Sequence, residues 1–195
     1  MTDKKVDRRI QRTRQLLQDA LITLILEKGY DKITVQDIID EANVGRSTFY
    51  AHYLDKDDLM ESSVEKLREE LGQHLSSGSE DEAQHAMMPS LTLFQHTQQQ
   101  HHLYKAMIGG RGIEIVVKAI REGLTAHARA YFEEAERAGK RFAVPMDILV
   151  TYLAGSLLTL LTWWLDNDMP YSPERMNEIF TQLVQGGIDA VIEAG

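Results

Sequence analysis

Residues 34–56 read TVQDIIDEANVGRSTFYAHYLDK. Thr34 with Asp37 three residues later forms a capping box with a shorter carboxylate, which starts a helix. Val35, Ile38, Ile39 and Ala42 fall on one face of it. Asn43 tolerates the left-handed backbone that a tight interhelical turn needs. The spacing predicts a further short helix over 46–52, with Phe49 and Tyr53 one turn apart and directed inward. Two short helices around a tight turn make the helix-turn-helix unit, whose second helix enters the DNA major groove. The other face presents Arg46, Ser47 and Tyr50, with Thr48 at its flank. Arginine bonds guanine O6 and N7 in bidentate fashion, and a threonine methyl meets a thymine methyl. The hydroxyls of Ser47 and Tyr50, and the Lys56 cation, suit phosphate oxygens. Spacing alone leaves an ordinary surface helix pair open as the alternative.

The same stretch resembles the DNA-binding signature of TetR/AcrR-type transcriptional regulators. The specific part is Thr48-Phe49-Tyr50, then His52-Tyr53, Lys56 and Leu59. Order, spacing and helical register all agree, from the chain start to a connecting helix. The resemblance implies an all-α fold and a homodimer, with a small DNA-binding domain ahead of a larger helical regulatory domain. It implies that Arg46 and Thr48 approach bases. Ser47, Tyr50, His52 and Lys56 would contact or orient phosphates, and Thr34 would sit near the DNA backbone. Ile39, Asn43 and Gly45 stand where the family commonly has Ala, Gly and Ser. Family members usually repress, and a small effector usually releases them from a palindromic double-stranded operator. A cytoplasmic location follows.

Around this stretch the helical pattern continues. Leu17, Ala20, Leu21, Leu24 and Ile25 make one stripe, closed by Gly29. Expected domains are a basic arm over 1–7, a helix-turn-helix domain over 8–54, a connecting helix over 55–76 and a ligand-binding and dimerisation domain over 77–195. Residues 76–82 read as a polar loop. Later helices are expected from Pro89 to about Gln99, His101 to Met107, Ile113 to Ala138, and after Pro145 and Ser172.

The chain has 195 residues, 43% hydrophobic and 26% charged, which is globular composition. It has no Cys, which excludes disulfides and thiol catalysis. The net charge is −9 but uneven: through Leu54 there are nine Lys/Arg against eight Asp/Glu. Lys4, Lys5, Arg8, Arg9, Arg12 and Arg14 form a local basic patch, which an acidic total does not prevent from binding a polyanion. The polar start does not read as a secretory signal. Residues 148–165 carry no charge, yet aspartates flank them and the Thr and Gly residues inside suit close helix packing, so a buried helix is expected and no membrane partner.

The regulatory region is less diagnostic. Met87, Phe94, Tyr104, Met107, Tyr152 and Trp163 are pocket candidates, since Met and aromatic side chains line adaptable pockets; core packing is the alternative for each. The stripes on the last two helices hold more apolar surface than one small domain needs. Leu149, Leu153, Gly155, Ser156, Thr159, Phe180, Leu183, Gly186 and Gly187 are therefore expected to meet a second copy across a two-fold axis, with packing inside the chain's own core as the alternative. His96, His101 and His102 lack a recognised ligand spacing, so no metal is expected. The run 109–112 (Gly-Gly-Arg-Gly) reads as a helix break and Glu133, Glu134 and Glu136 as a solvated face. No catalytic constellation or cofactor motif emerges. A helical small-molecule-binding protein whose helix-turn-helix no longer reads DNA is the competing reading.

Overall fold

Leu17, Ala20, Leu21, Leu24 and Ile25 lie on one face of α1 (Asp3–Lys28), and all are buried. The computed structural model describes residues 3–77 and 87–192, with side chains described at 8–66 and 87–192. The expected polar loop at 76–82 falls mostly outside the described residues. Within them the regular elements are helical, the exception being an isolated bridge between Phe142 and Ile192.

The chain divides into two compact units, Met1–Leu67 with His102–Val116, and Arg68–His101 with Val117–Gly195. This differs from the linear cut at 76/77 expected from sequence, because His102–Val116 packs with the first unit. Nor is there a separate arm over 3–7: the backbone there is already part of α1.

In the first unit, α1 ends where Gly29 turns at φ 75, its N–H donating to Ile25 O at 2.9 Å. With ψ at 149 this is a backbone region that essentially only glycine enters, so the residue ends the helix without strain. A three-residue 3-10 turn, Tyr30–Lys32, follows. It is too short for any periodicity to reveal. The Thr34 capping box then starts α2 (Val35–Glu41): Asp37 N–H donates to Thr34 Oγ1 at 3.2 Å, and Thr34 N–H donates to Asp37 Oδ2 at 2.7 Å. Such a cap is worth about 1 kcal/mol. The Lys28 ammonium at 2.8 Å and the bonds from Thr34 hold the Asp37 carboxyl well below its usual range. Asn43 takes φ 50, as the turn requires. The recognition helix α3 spans Arg46–Tyr50, shorter than expected, and the chain leaves it through a turn in which the N–H groups of His52 and Tyr53 both donate to Phe49 O at 2.9 Å. Phe49, Tyr53, Ile38 and Leu59 are buried together in this unit's core. The Tyr53 hydroxyl is buried with no hydrogen-bond partner among the described residues. Asp55 caps α4 (Lys56–Ser77), accepting from the N–H groups of Asp57 and Asp58. Helix α6 (His101–Met107) supplies the buried Tyr104 and Met107. α7 (Arg111–Arg137) begins two residues earlier than the sequence predicts; its first residues belong here and the remainder to the second unit.

The second unit is built from α5 (Ser90–Gln99), the body of α7, α8 (Met146–Asp166) and α9 (Pro173–Val191). α5 runs along α9 and also meets α8. Phe94 and Trp164 meet edge-to-face at 5.3 Å, and Trp164 Nε1 donates to Tyr171 O at 2.9 Å. The indole is thus fully buried without an unpaired polar atom. Asp168 and Met169, at φ 58 and 53, turn the chain into α9, which Ser172 caps with Pro173 in first position. Helix α8 is long and apolar enough to cross a membrane, with 21 residues and a mean hydropathy of 1.7 over an 18-residue window. Its stripe from Leu149 through Leu153, Leu157 and Leu161 to Trp164 is buried in this unit's core.

Candidate nucleic-acid interface

Helix α3 turns Phe49 inward, which leaves Arg46, Ser47 and Tyr50 exposed and Thr48 half-buried. Tyr50 stands edge-on to Phe49 at 5.4 Å, which fixes its ring while half its surface stays open. Arg46 Nη2 donates to Gln36 Oε1 at 3.2 Å, and Gln36 Nε2 donates to Asp40 Oδ1 at 2.8 Å. The amide relay orients the guanidinium with a neutral partner, so its charge stays available. Arg46 has no ion pair among the described residues. Arg8, Arg9, Arg12 and Arg14 are exposed on α1; Lys4 and Lys5 lie outside the described side chains.

Two groups expected at the DNA backbone make bonds within the chain. The Thr34 hydroxyl donates to Asp37 Oδ2 at 2.7 Å while accepting the Asp37 N–H. Lys56 Nζ donates to Tyr30 O at 3.1 Å, Asp31 O at 3.3 Å and Ile33 O at 2.9 Å, and lies 4.6 Å from the centre of the Tyr30 ring. The ammonium is within hydrogen-bond distance of three carbonyls in and just after the 3-10 turn. Without DNA the cation is thus engaged within the chain, on carbonyls at the end of a helical turn, of which Tyr30 O also accepts the Ile33 N–H at 3.1 Å. His52 is half-buried, its ring tilted against Tyr53 at 6.3 Å.

Sequence reasoning missed a group beside Lys56. Asp57 Oδ1 accepts the Tyr30 hydroxyl at 2.5 Å, and Oδ2 accepts Arg111 Nε at 2.5 Å. Burial pushes the Asp57 carboxyl up, but the bonds from Tyr30 and Arg111, with the Arg111 and Lys56 charges, outweigh it and hold the group below its usual range. Burial, then Asp57, pushes the Tyr30 phenol far up. No periodic signal could have revealed this; the glycine-rich run was the one visible mark.

The pocket candidates are dispersed. Tyr104 and Met107 belong to the first unit, where burial pushes the Tyr104 phenol up to about 12. Phe94 is packed solid in the second unit's core, and Tyr152 and Trp163 are exposed on α8. Met87 alone of the six lines the cavity found in the second unit, of about 370 Å³. Its floor is apolar, with Phe132, Phe142, Phe180 and Ile188, and its rim carries Lys140, Asn177, Gln185 and Asp189. Among the interface candidates, Leu149, Leu153 and Phe180 are buried in the chain's own core, a correction to their expected role. Thr159, Leu183, Gly186 and Gly187 are exposed, and Gly155 and Ser156 half-buried. A side chain built at Gly155, Gly186 or Gly187 would meet nothing within 4 Å. Among the described residues no cluster of three His, Asp or Glu could hold a metal.

An exposed, cation-bearing second helix, set by a capped first helix at the amino end of a helical chain, defines a helix-turn-helix DNA-binding regulator. Residues 17–62 match the family model described as bacterial regulatory proteins, TetR family, and residues 85–186 match one described as a transcriptional regulator C-terminal region. The chain belongs to the TetR family. It is 26% identical over 189 residues to the helix-turn-helix-type transcriptional regulator YxbF of Bacillus subtilis, covering 93% of this chain and 47% of that protein. Over 47 residues it is 43% identical to IcaR of Staphylococcus epidermidis, the negative transcriptional regulator of a biofilm operon, covering 24% of this chain and 25% of that one. The chain spans less than half the length of these curated relatives. A TetR transcriptional regulator from Streptococcus agalactiae shares the fold over 93% of this chain and 98% of its own, with TM-score 0.66 and 28% identity.

Proposed function

We propose that the protein is a homodimeric, cytoplasmic repressor, released from a palindromic operator when a small molecule occupies its second unit. The outward guanidinium of Arg46, oriented by Gln36 and uncompensated by a carboxylate, is the observation that carries the DNA-binding half of this reading. Repression is supported by the 43% identity to a negative regulator over 47 residues. Ligand response is supported by the cavity, whose 370 Å³ and apolar floor suit a small effector. Dimerisation is supported by the large apolar side chains that α8 and α9 leave open, Ile148, Tyr152, Trp163 and Leu183. Base contact falls to Arg46 and Thr48, phosphate contact to Ser47, Tyr50 and His52, and Lys56 and Thr34 act by shaping the helix pair.

Selection of duplexes from a random library by the full chain is the test. A palindrome with half-sites about 34–36 Å apart, or a multiple of that, is expected. Arg46→Ala should weaken the selected duplex by roughly 1–3 kcal/mol and relax sequence choice. Recovery of no duplex at any salt would instead favour a helical small-molecule-binding protein that no longer reads DNA.

A further inference from the structure

The glycine-rich run at 109–112 contacts neither the exposed face of α3 nor the cavity, yet its surroundings are specific. Gly109 turns at φ 80, and α7 begins at Arg111. The Arg111 backbone N–H donates to Asp31 Oδ1 at 3.1 Å while its Nε donates to Asp57 Oδ2 at 2.5 Å. Gly112 lies against the Tyr30 ring so closely that a Cβ there would sit 2.8 Å from Tyr30 Cγ. A Cβ on Gly110 would collide with the Asp31 carboxylate. Both glycines are thus the condition for the approach. Lys56 in turn holds the carbonyls of Tyr30, Asp31 and Ile33. Ile33 is followed by Thr34, the cap of α2. The first turns of α7 and α4 therefore grip the 3-10 turn one residue ahead of the helix pair that presents Arg46.

We propose that Arg111 is a positioning residue for DNA recognition: through Asp57 and Asp31 it fixes the 3-10 turn, and with it the start of α2 and the aim of α3. The inference rests on the DNA-binding reading above. Its effect should fall on recognition rather than on stability, because the Arg111 side chain is 64% exposed, and pairs of that kind add little to folding.

The test uses the full chain, a duplex selected by the native protein and a scrambled duplex of equal length, titrated by fluorescence anisotropy across several salt concentrations. Arg111→Met should weaken the selected duplex about tenfold, a usual size for coupled neighbours, and the scrambled one by less than twofold. The salt slope and the melting midpoint should stay native. Asp57→Asn should show the same loss, and the double variant should be no weaker than the weaker single. Arg111→Lys should recover part of the affinity. Gly112→Ala changes no charge and should lose selectivity likewise by crowding Tyr30, which keeps the idea testable where Arg111→Met does not fold. Native selectivity in Arg111→Met, or in Gly112→Ala, overturns the proposal. Equal weakening of both duplexes, with the slope reduced by about 0.9, overturns it differently, by making Arg111 a phosphate contact. If the native chain selects no duplex, the DNA-binding reading fails first and takes this inference with it.

Discussion

Replacing Lys56 by Met keeps most of the aliphatic stem and deletes the ammonium. Three acceptors then lose the ammonium, Tyr30 O and Ile33 O in part-buried positions and Asp31 O in an exposed one, though Tyr30 O keeps the Ile33 N–H at 3.1 Å. Water can satisfy the exposed carbonyl and Ile33 N–H still serves Tyr30 O, so the loss concentrates on Ile33 O. Hydrogen bonds to a charged donor are worth about 1.5–3 kcal/mol each, but bonds sharing one ammonium do not add fully. Loss of the cation from the face of Tyr30 removes about 0.5–1 kcal/mol more. Desolvation of the ammonium in the native state offsets part of this, so a net destabilisation of about 2 kcal/mol is expected. For a chain of this size each kcal/mol moves the melting midpoint by about 2–4 °C. Thermal unfolding followed by circular dichroism should therefore show a midpoint lower by roughly 4–8 °C. Operator affinity should fall, while the slope of log affinity against log salt stays native. A residue that neutralises one phosphate behaves oppositely, leaving the midpoint alone and reducing the slope by about 0.9. That second pattern would refute the inward role given to Lys56.

Tyr53→Phe removes a buried hydroxyl that has no partner among the described residues, so the unfolding free energy from a denaturant titration should hold or rise by up to about 1 kcal/mol; a loss of that size would mean that the hydroxyl is satisfied. Leu183→Glu, at a side chain 62% exposed, should leave the helix content native yet give a monomer in sedimentation, whereas a persistent dimer would move the interface elsewhere. Asp57 is depressed in the folded chain, so its contribution is present above the unfolded carboxylate value and is lost as pH falls through the folded one. Stability curves of native and Asp57→Asn protein should consequently differ at neutral pH and converge in acid; a gap that widens in acid would reverse the sign.

Where local chemistry decides, the sequence is readable. Thr34 and Asp37 form the capping box their spacing suggests, Asn43 is left-handed, and α6 runs from His101 to Met107 as expected. Trp163 lies off the leucine stripe and is exposed, while Trp164 is fully buried. Periodicity says which face of a helix is covered but not by what. Hence Leu149, Leu153 and Phe180, assigned to a second copy, turn out to fill their own core. The same gap explains the pocket: Met and aromatic residues at helical spacing do not reveal whether they share a cavity, and Met87 alone lines this one. Lys56 and Arg111 were opaque for another reason. Their partners are backbone carbonyls and distant carboxylates, which only tertiary folding brings near.

The first unit is not a continuous piece of chain. Residues 102–116 complete it and bring the buried Tyr104, Met107, Ile115 and Val116. A chimaera cut after the connecting helix, joining this reading head to another sensor, would strip those side chains from its interior and leave the Tyr30 ring without its glycine floor. The transferable cassette is a two-segment one, in which the donor's own 102–116 travels with the reading head or the recipient supplies an equivalent stretch at the same place. A substitution at Gly112 thus bears directly on the Tyr30 ring, although the two lie far apart along the sequence.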